Sequence, residues 1–174
     1  MRHLYWHKLR QTILGSKIEA LPDDCHYKPR CLFELSRLFR KAGNFAEENR
    51  LLTHTLVLGI TRGDKLGVAS TLQLLSDVNR VLGLHDEGIR QVTEAFEMFE
   101  RIGDTIEQIQ CLSRLSRLLL ADEQLEAAED AATRAVSLLP GTGQEFCVCQ
   151  IHRVLGNIYQ SKREKQKADR KSVV

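Results

Sequence analysis

The residues with the most specific chemistry are five cysteines, Cys25, Cys31, Cys111, Cys147 and Cys149, with His26 and His152 close to two of them. A zinc site needs four ligands brought together, commonly from two C-x₂₋₄-C pairs. The closely spaced pair here is Cys147-Val148-Cys149, and on a helix of 3.6 residues per turn two such thiols point roughly 200° apart. Buried structural thiols are the expected reading, and no metal is expected. Cys111 with His152 is a conceivable nucleophile–base pair, but both fall in helix-face positions that packing explains. Glu94, Glu97 and Glu100 recur every three residues, as on a solvated helix face rather than in a carboxylate pair for acid–base work. Nothing matches the G-x-x-x-x-G-K-S/T phosphate loop, and Gly141-Thr142-Gly143 lacks the third glycine of G-x-G-x-x-G. The sequence therefore predicts no catalytic residues, no cofactor and no enzyme.

The composition reads as that of a soluble, all-α chain. The chain has 174 residues, of which 43% are hydrophobic, 28% charged and 6% aromatic. No run of about 18 apolar residues is present, so no transmembrane helix is expected. Charged residues interrupt the first fifteen positions, so no secretory signal is expected either. An odd cysteine count without secretory context points to a reducing, cytoplasmic location. The net charge of +2 is uneven: residues 1–30 carry +3 and residues 161–174 carry +4, leaving −5 for the middle. The basic tail has no aromatic residue to stack on a base and reads as a solvated end, so neither nucleic acid nor membrane is an expected partner. Only Pro22, Pro29 and Pro140 occur, and the long proline-free stretch between is rich in helix formers.

Those helices repeat with a period of 40 residues. Gly63-Asp64 recurs as Gly103-Asp104, with Gly143-Gln144 as a third copy. Leu32, Leu72 and Leu112 share a column, as do Leu35, Leu75, Leu115 and Leu155. Ser36, Ser76, Ser116 and Gly156 form a small column, and Phe39, Leu119 and Tyr159 a bulky one broken by Asn79. Further along, Glu48, Gly88, Ala128 and Ala168 align. Each unit is thus two amphipathic helices whose small residues permit close crossing. Glycine ends a helix in the turns, and Asn44, Asp64, Asp104 and Asp122 are the predicted caps of the helices that follow.

The pattern resembles the tetratricopeptide repeat, in Leu35-Ser36…Phe39, Leu75-Ser76, Leu115-Ser116…Leu119 with Ala128, Ala132 and Ala135, and Leu155-Gly156…Tyr159. More narrowly, Leu82 to Ile89 and His152 to Lys162 resemble fungal repeat regions that accompany STAND-type nucleotide-binding signalling proteins. The resemblance implies an all-α, right-handed superhelix of antiparallel helix pairs. The expected organisation is a capping helix or half-repeat in residues 1–24, repeats in 25–64, 65–104 and 105–144, and an incomplete repeat with a basic tail in 145–174. The first segment has Leu9, Ile13, Leu14, Ile18 and Leu21 at helical spacing. A last helix without its partner would expose Val154, Leu155 and Ile158, which predicts either a fragment of a longer superhelix or a chain that buries this end against another molecule, by self-association for example.

The resemblance also implies a concave groove lined by the first helix of each unit. The positions carried over are Arg30, Phe33, Arg37 and Arg40; then Gln73, Asp77 and Arg80; then Gln110, Ser113 and Arg117; then Gln150, Arg153 and Asn157. Six are arginines and only Asp77 is acidic. Arginine's planar fork suits carboxylates, so the expected partner is a protein or peptide of acidic character. The competing expectation is that these arginines pair with acids on adjacent helices. The function that follows is a non-catalytic scaffold in a larger signalling assembly. The alternative is a peptide-sensing regulatory repeat domain of a transcriptional or quorum-type regulator.

Overall fold

The computed structural model describes residues 14–139 and 145–172, with side chains described over 14–139 and 148–167. Gly141 to Gly143, residues 1–13 of the expected N-terminal helix and the Cys147 side chain lie outside the described residues. Residues 14–19 are helical. Seven helices follow: α1 (Lys28–Lys41), α2 (Phe45–Thr61), α3 (Lys65–Val81), α4 (His85–Ile102), α5 (Thr105–Ala121), α6 (Leu125–Ser137) and α7 (Glu145–Ser172). No strand occurs among the described residues.

Consecutive helices pair as neighbours, and the pairs stack so that α3 lies against α5 and α5 against α7. The small residues of the first helices, Ser36, Ser76 and Ser116, are at most 1% exposed, which lets the neighbouring helix approach closely. Within the second helices Gly88, Ala128, Ala132 and Ala135 serve the same purpose. A Cβ on Gly88 would lie 2.8 Å from Leu118 Cδ2 and 3.2 Å from the Ser76 carbonyl oxygen, so a side chain here would require Leu118 to shift and the crossing to widen by a few tenths of an ångström. The apolar core runs on from unit to unit. Val68, Leu72, Val92 and Phe99 pack with Cys111 and Leu118, while Ile109, Leu112 and Leu119 on the other side of α5 pack with α6 and α7.

The turns follow from local chemistry. Asn44, Asp64 and Asp104 accept hydrogen bonds from the backbone N–H groups of Glu47, Gly67 and Glu107, satisfying donors that a helix start leaves unpaired. Gly43, Gly63, Gly83 and Gly103 take φ between 67° and 80°. The α5–α6 turn has no glycine, and Glu123 takes the left-handed conformation there with φ 60°. Asp122 does not cap α6 as its position suggests. Gln124 occupies the cap position without a side-chain bond, and Asp122 accepts from the Gln124 amide instead.

The last helix corrects a second expectation. Val154 and Ile158 are 2% and 0% exposed, buried with Ile151 against α5 and α6, and Leu155 is partly buried. Cys149, His152, Gly156 and Tyr159 of α7 are exposed, although the matching columns of α5 face α6. Lys162 pairs with Glu129, tying α7 to α6 beyond the core.

A left-handed φ costs a non-glycine residue on the order of 1 kcal/mol. Glu123→Gly is therefore expected to stabilise the fold by about 1 kcal/mol in urea denaturation, and Gly103→Ala to destabilise it by a similar amount.

Candidate functional site on the concave face

The first helices of successive units lie side by side, and their seams differ. Along the α3–α5 seam, the Gln73 amide donates to Glu107 Oε2 (3.0 Å) and to Cys111 Sγ (3.0 Å). Asp77 receives Arg114 Nε on one carboxylate oxygen at 3.0 Å and Arg117 on the other at 3.2 Å. The side chains of Asp77, Arg114 and Arg117 are 14%, 16% and 27% exposed, so this bridge is partly withdrawn from water. In contrast, no Cα of α1 comes within 8 Å of one in α3. These two helices meet through Arg40, which donates to the Leu74 carbonyl at 3.5 Å. Toward their N-termini they splay around a cleft of about 970 Å³ lined by residues including Arg30, Phe33, Gly59, Ser70 and Thr71.

Charge concentrates at the closed seam. Burial lowers the Arg117 pKa, and the guanidinium groups of Arg114, Arg80 and Arg153 lower it further, with Asp77 alone opposing them. Arg114 and Arg117 of α5 thus share the Asp77 carboxylate, and the charges of Arg80 on α3 and Arg153 on α7 act on Arg117 as well. Arg80 and Arg153 form no ion pair among the described residues, and the buried Nε of Arg80 has no hydrogen-bond partner. Ser113, which is 7% exposed, likewise leaves its Oγ without one.

The repeat period explains why Arg80 stands alone. One period earlier, Arg40 Nε donates to Glu48 at 2.5 Å, reaching from α1 into α2. The residue that corresponds to Glu48 beside Arg80 is Gly88, and one period later the pair is Leu120 and Ala128. The same two positions therefore hold a salt bridge, then an unmatched cation, then an apolar contact.

Each position carried over from the sequence has a definite place. Arg40 and Arg117 pair with acids on neighbouring helices. Arg37 is exposed and pairs with Glu34 on its own helix. Gln73 and Ser113 are buried, and Gln110 accepts from Arg114 while donating to Glu107. Phe33 packs against the Leu52–Leu75 cluster, and Gln150 is half-buried. Arg30, Arg153 and Asn157 are exposed. Arg114 did not stand out in the sequence, because its column holds Glu34, Leu74 and Val154. Asn79, the polar break in the bulky column, is buried and bonded to Asn49 and Gln91.

The reactive groups stay apart. Cys111 is buried, and burial pushes its thiol up to about 11, far from a working nucleophile. His152 is exposed on α7, with Nδ1 against the Val148 carbonyl.

Glu48 is 1% exposed and has one carboxylate oxygen without a partner. Burial raises its pKa, and Asp77 adds to this, against the lowering effect of Arg40. A carboxyl held above its unfolded pKa binds its proton more tightly in the folded chain. Stability is thus lost as pH rises from the unfolded value through the folded one. Glu48→Gln keeps an acceptor for Arg40 and removes that loss. Urea denaturation is expected to show the variant gaining on the wild type as pH rises from about 4 to about 7.5.

Among known proteins, residues 64–140 match the family described as tetratricopeptide repeat. No curated protein sequence matches the chain. Among solved structures, the chain is similar to the nearly identical TPR-like repeats assigned to a kinesin light chain of Podosopora anserina, at 14% identity and a TM-score of 0.72, covering 94% of this chain and 81% of that one. It is also similar to BtubC (BKLC) from P. vanneervenii, at 16% identity and a TM-score of 0.76, covering 94% of this chain and 69% of that one. At such identity the likeness concerns the fold. The chain has a TPR-like helical-repeat fold, and residues 64–140 match the tetratricopeptide repeat family.

Proposed function

We propose that the chain binds an acidic segment of a partner protein on its concave face, at the arginine cluster of α3, α5 and α7. The observation that carries this reading is that the Asp77 carboxylate is taken up by Arg114 and Arg117, while Arg80 and Arg153, whose charges act on Arg117, have no acid partner among the described residues. Partly desolvated guanidinium groups in excess over acids are costly to hold together. A carboxylate-bearing segment relieves that cost and gains bidentate hydrogen bonds. The groove positions named from the sequence divide accordingly. Arg80 and Arg153 face the partner, with Arg30 and Asn157 toward the two ends. Arg40, Gln73 and Arg117 hold the helices that position them. The fold is generally that of a non-catalytic scaffold, and the resemblance of Leu82 to Ile89 and His152 to Lys162 to STAND-associated repeats supports a place in a larger signalling assembly.

A fluorescein-labelled deca-glutamate peptide, with deca-glutamine as control, tests this by fluorescence anisotropy. Arg80→Glu with Arg153→Glu is expected to weaken deca-glutamate binding at least about tenfold. Raising salt from about 50 to about 300 mM is expected to weaken it in the wild type. Unchanged affinity in the double variant would move the binding surface elsewhere.

A further inference from the structure

The number and kind of donors at the α3–α5–α7 cluster specify more than general acidity. Asp77 is the one acid paired with any of Arg80, Arg114, Arg117 and Arg153 among the described residues, which leaves three positive charges unmatched, and Glu48 is already engaged by Arg40. One carboxylate would leave two of those charges unmatched, whereas a phosphoryl group brings about −1.5 to −2 with three acceptor oxygens. The unpartnered donors suit such an acceptor. Arg80 offers a buried Nε–H and the rest of its fork, Arg153 is exposed, and Ser113 offers a hydroxyl with no bond of its own. Ser113 sits beside Arg117, whose Nε–H donates to the Ser113 carbonyl at 3.4 Å. Arg80 has no internal acid because Gly88 stands where Glu48 serves Arg40, in a crossing tight enough that a Cβ there would press on Leu118 and the Ser76 carbonyl.

We infer that Arg80, Arg114, Arg117 and Arg153, with the Ser113 hydroxyl, form a site for a phosphoryl dianion carried on the partner segment as a phosphorylated side chain. This rests on the reading of the concave face as a peptide site and narrows the chemistry of its ligand. Arg114 and Arg117 stay anchored on Asp77 while presenting their remaining N–H groups. Arg80 and Arg153 close on the phosphoryl oxygens from the two flanking helices. Because Asp77 repels a dianion, the selective contacts come from the two arginines it does not hold.

The test is titration of the full chain with three labelled glycine–serine decapeptides, carrying two phosphoserines, two glutamates in the same places, or unmodified serines. The phosphorylated peptide is expected to bind about tenfold tighter than the glutamate peptide. Arg80→Gln, and separately Arg153→Gln, is expected to reduce it to the affinity of the glutamate peptide. Inorganic phosphate is expected to compete only at far higher concentration than the phosphopeptide. Equal binding of the phosphorylated and glutamate peptides would overturn the inference and leave the acidic-segment reading standing, as would a full preference in both variants. Displacement by inorganic phosphate at matching concentration would show a free-anion site instead. Preferred binding of poly-uridylate or of anionic phospholipid vesicles would also overturn it. If neither acidic peptide nor deca-glutamate binds, the broader reading falls too.

Discussion

The Asp77 carboxylate decides how the middle of the array is built. It stands on α3 and holds two arginines of α5, one on each oxygen, across a seam that water only partly reaches. Two cations beside each other repel, and the acid between them turns that repulsion into a link between repeats. With the Gln73 bonds it closes the α3–α5 seam, whereas α1 and α3 stand farther apart and leave a cleft toward their N-termini. The bridge also leaves Arg80 and Arg153 without an acid partner among the described residues.

Divergence within the repeat frame produces this local chemistry. Positions 40 and 48 hold a buried-acid salt bridge, positions 80 and 88 an arginine and a glycine, and positions 120 and 128 an apolar pair. Each solution is compatible with the same backbone, because the alanine or glycine of the second helix tightens the crossing wherever the acid is absent. The stability cost of an unmatched arginine is moderate while part of its fork reaches water. A ligand that supplies the missing charge adds binding energy without rebuilding the core.

Much of the fold was legible in the sequence because the repeating columns report physical needs. Ser36, Ser76 and Ser116 mark close crossings, and Asp64 and Asp104 mark helix starts. The α5–α6 turn was less legible. Without glycine, its left-handed residue falls on Glu123, which no propensity favours, and the cap shifts to Gln124. In α7 the period misled. Which face a helix buries depends on which neighbours it has, and α7 packs toward α5 and α6 through Ile151, Val154 and Ile158. The column that buries Leu112 is therefore exposed at His152. Arg114 was hidden for a related reason: it meets Asp77 across a 37-residue step, one helical turn short of the 40-residue column. Whether a groove arginine is free or paired depends on such diagonal steps, which column alignment does not display.

The central claim is that Asp77 holds the seam while Arg80 and Arg153 contribute nothing to stability. The most direct measurement is urea denaturation of Asp77→Asn beside Arg80→Gln and Arg153→Gln, without ligand. Removing the shared acid leaves two partly buried cations uncompensated, so Asp77→Asn should cost about 3 kcal/mol. The two arginine variants should be neutral or slightly more stable than the wild type. A neutral Asp77→Asn, or an Arg80→Gln as costly as the loss of Asp77, would contradict the account.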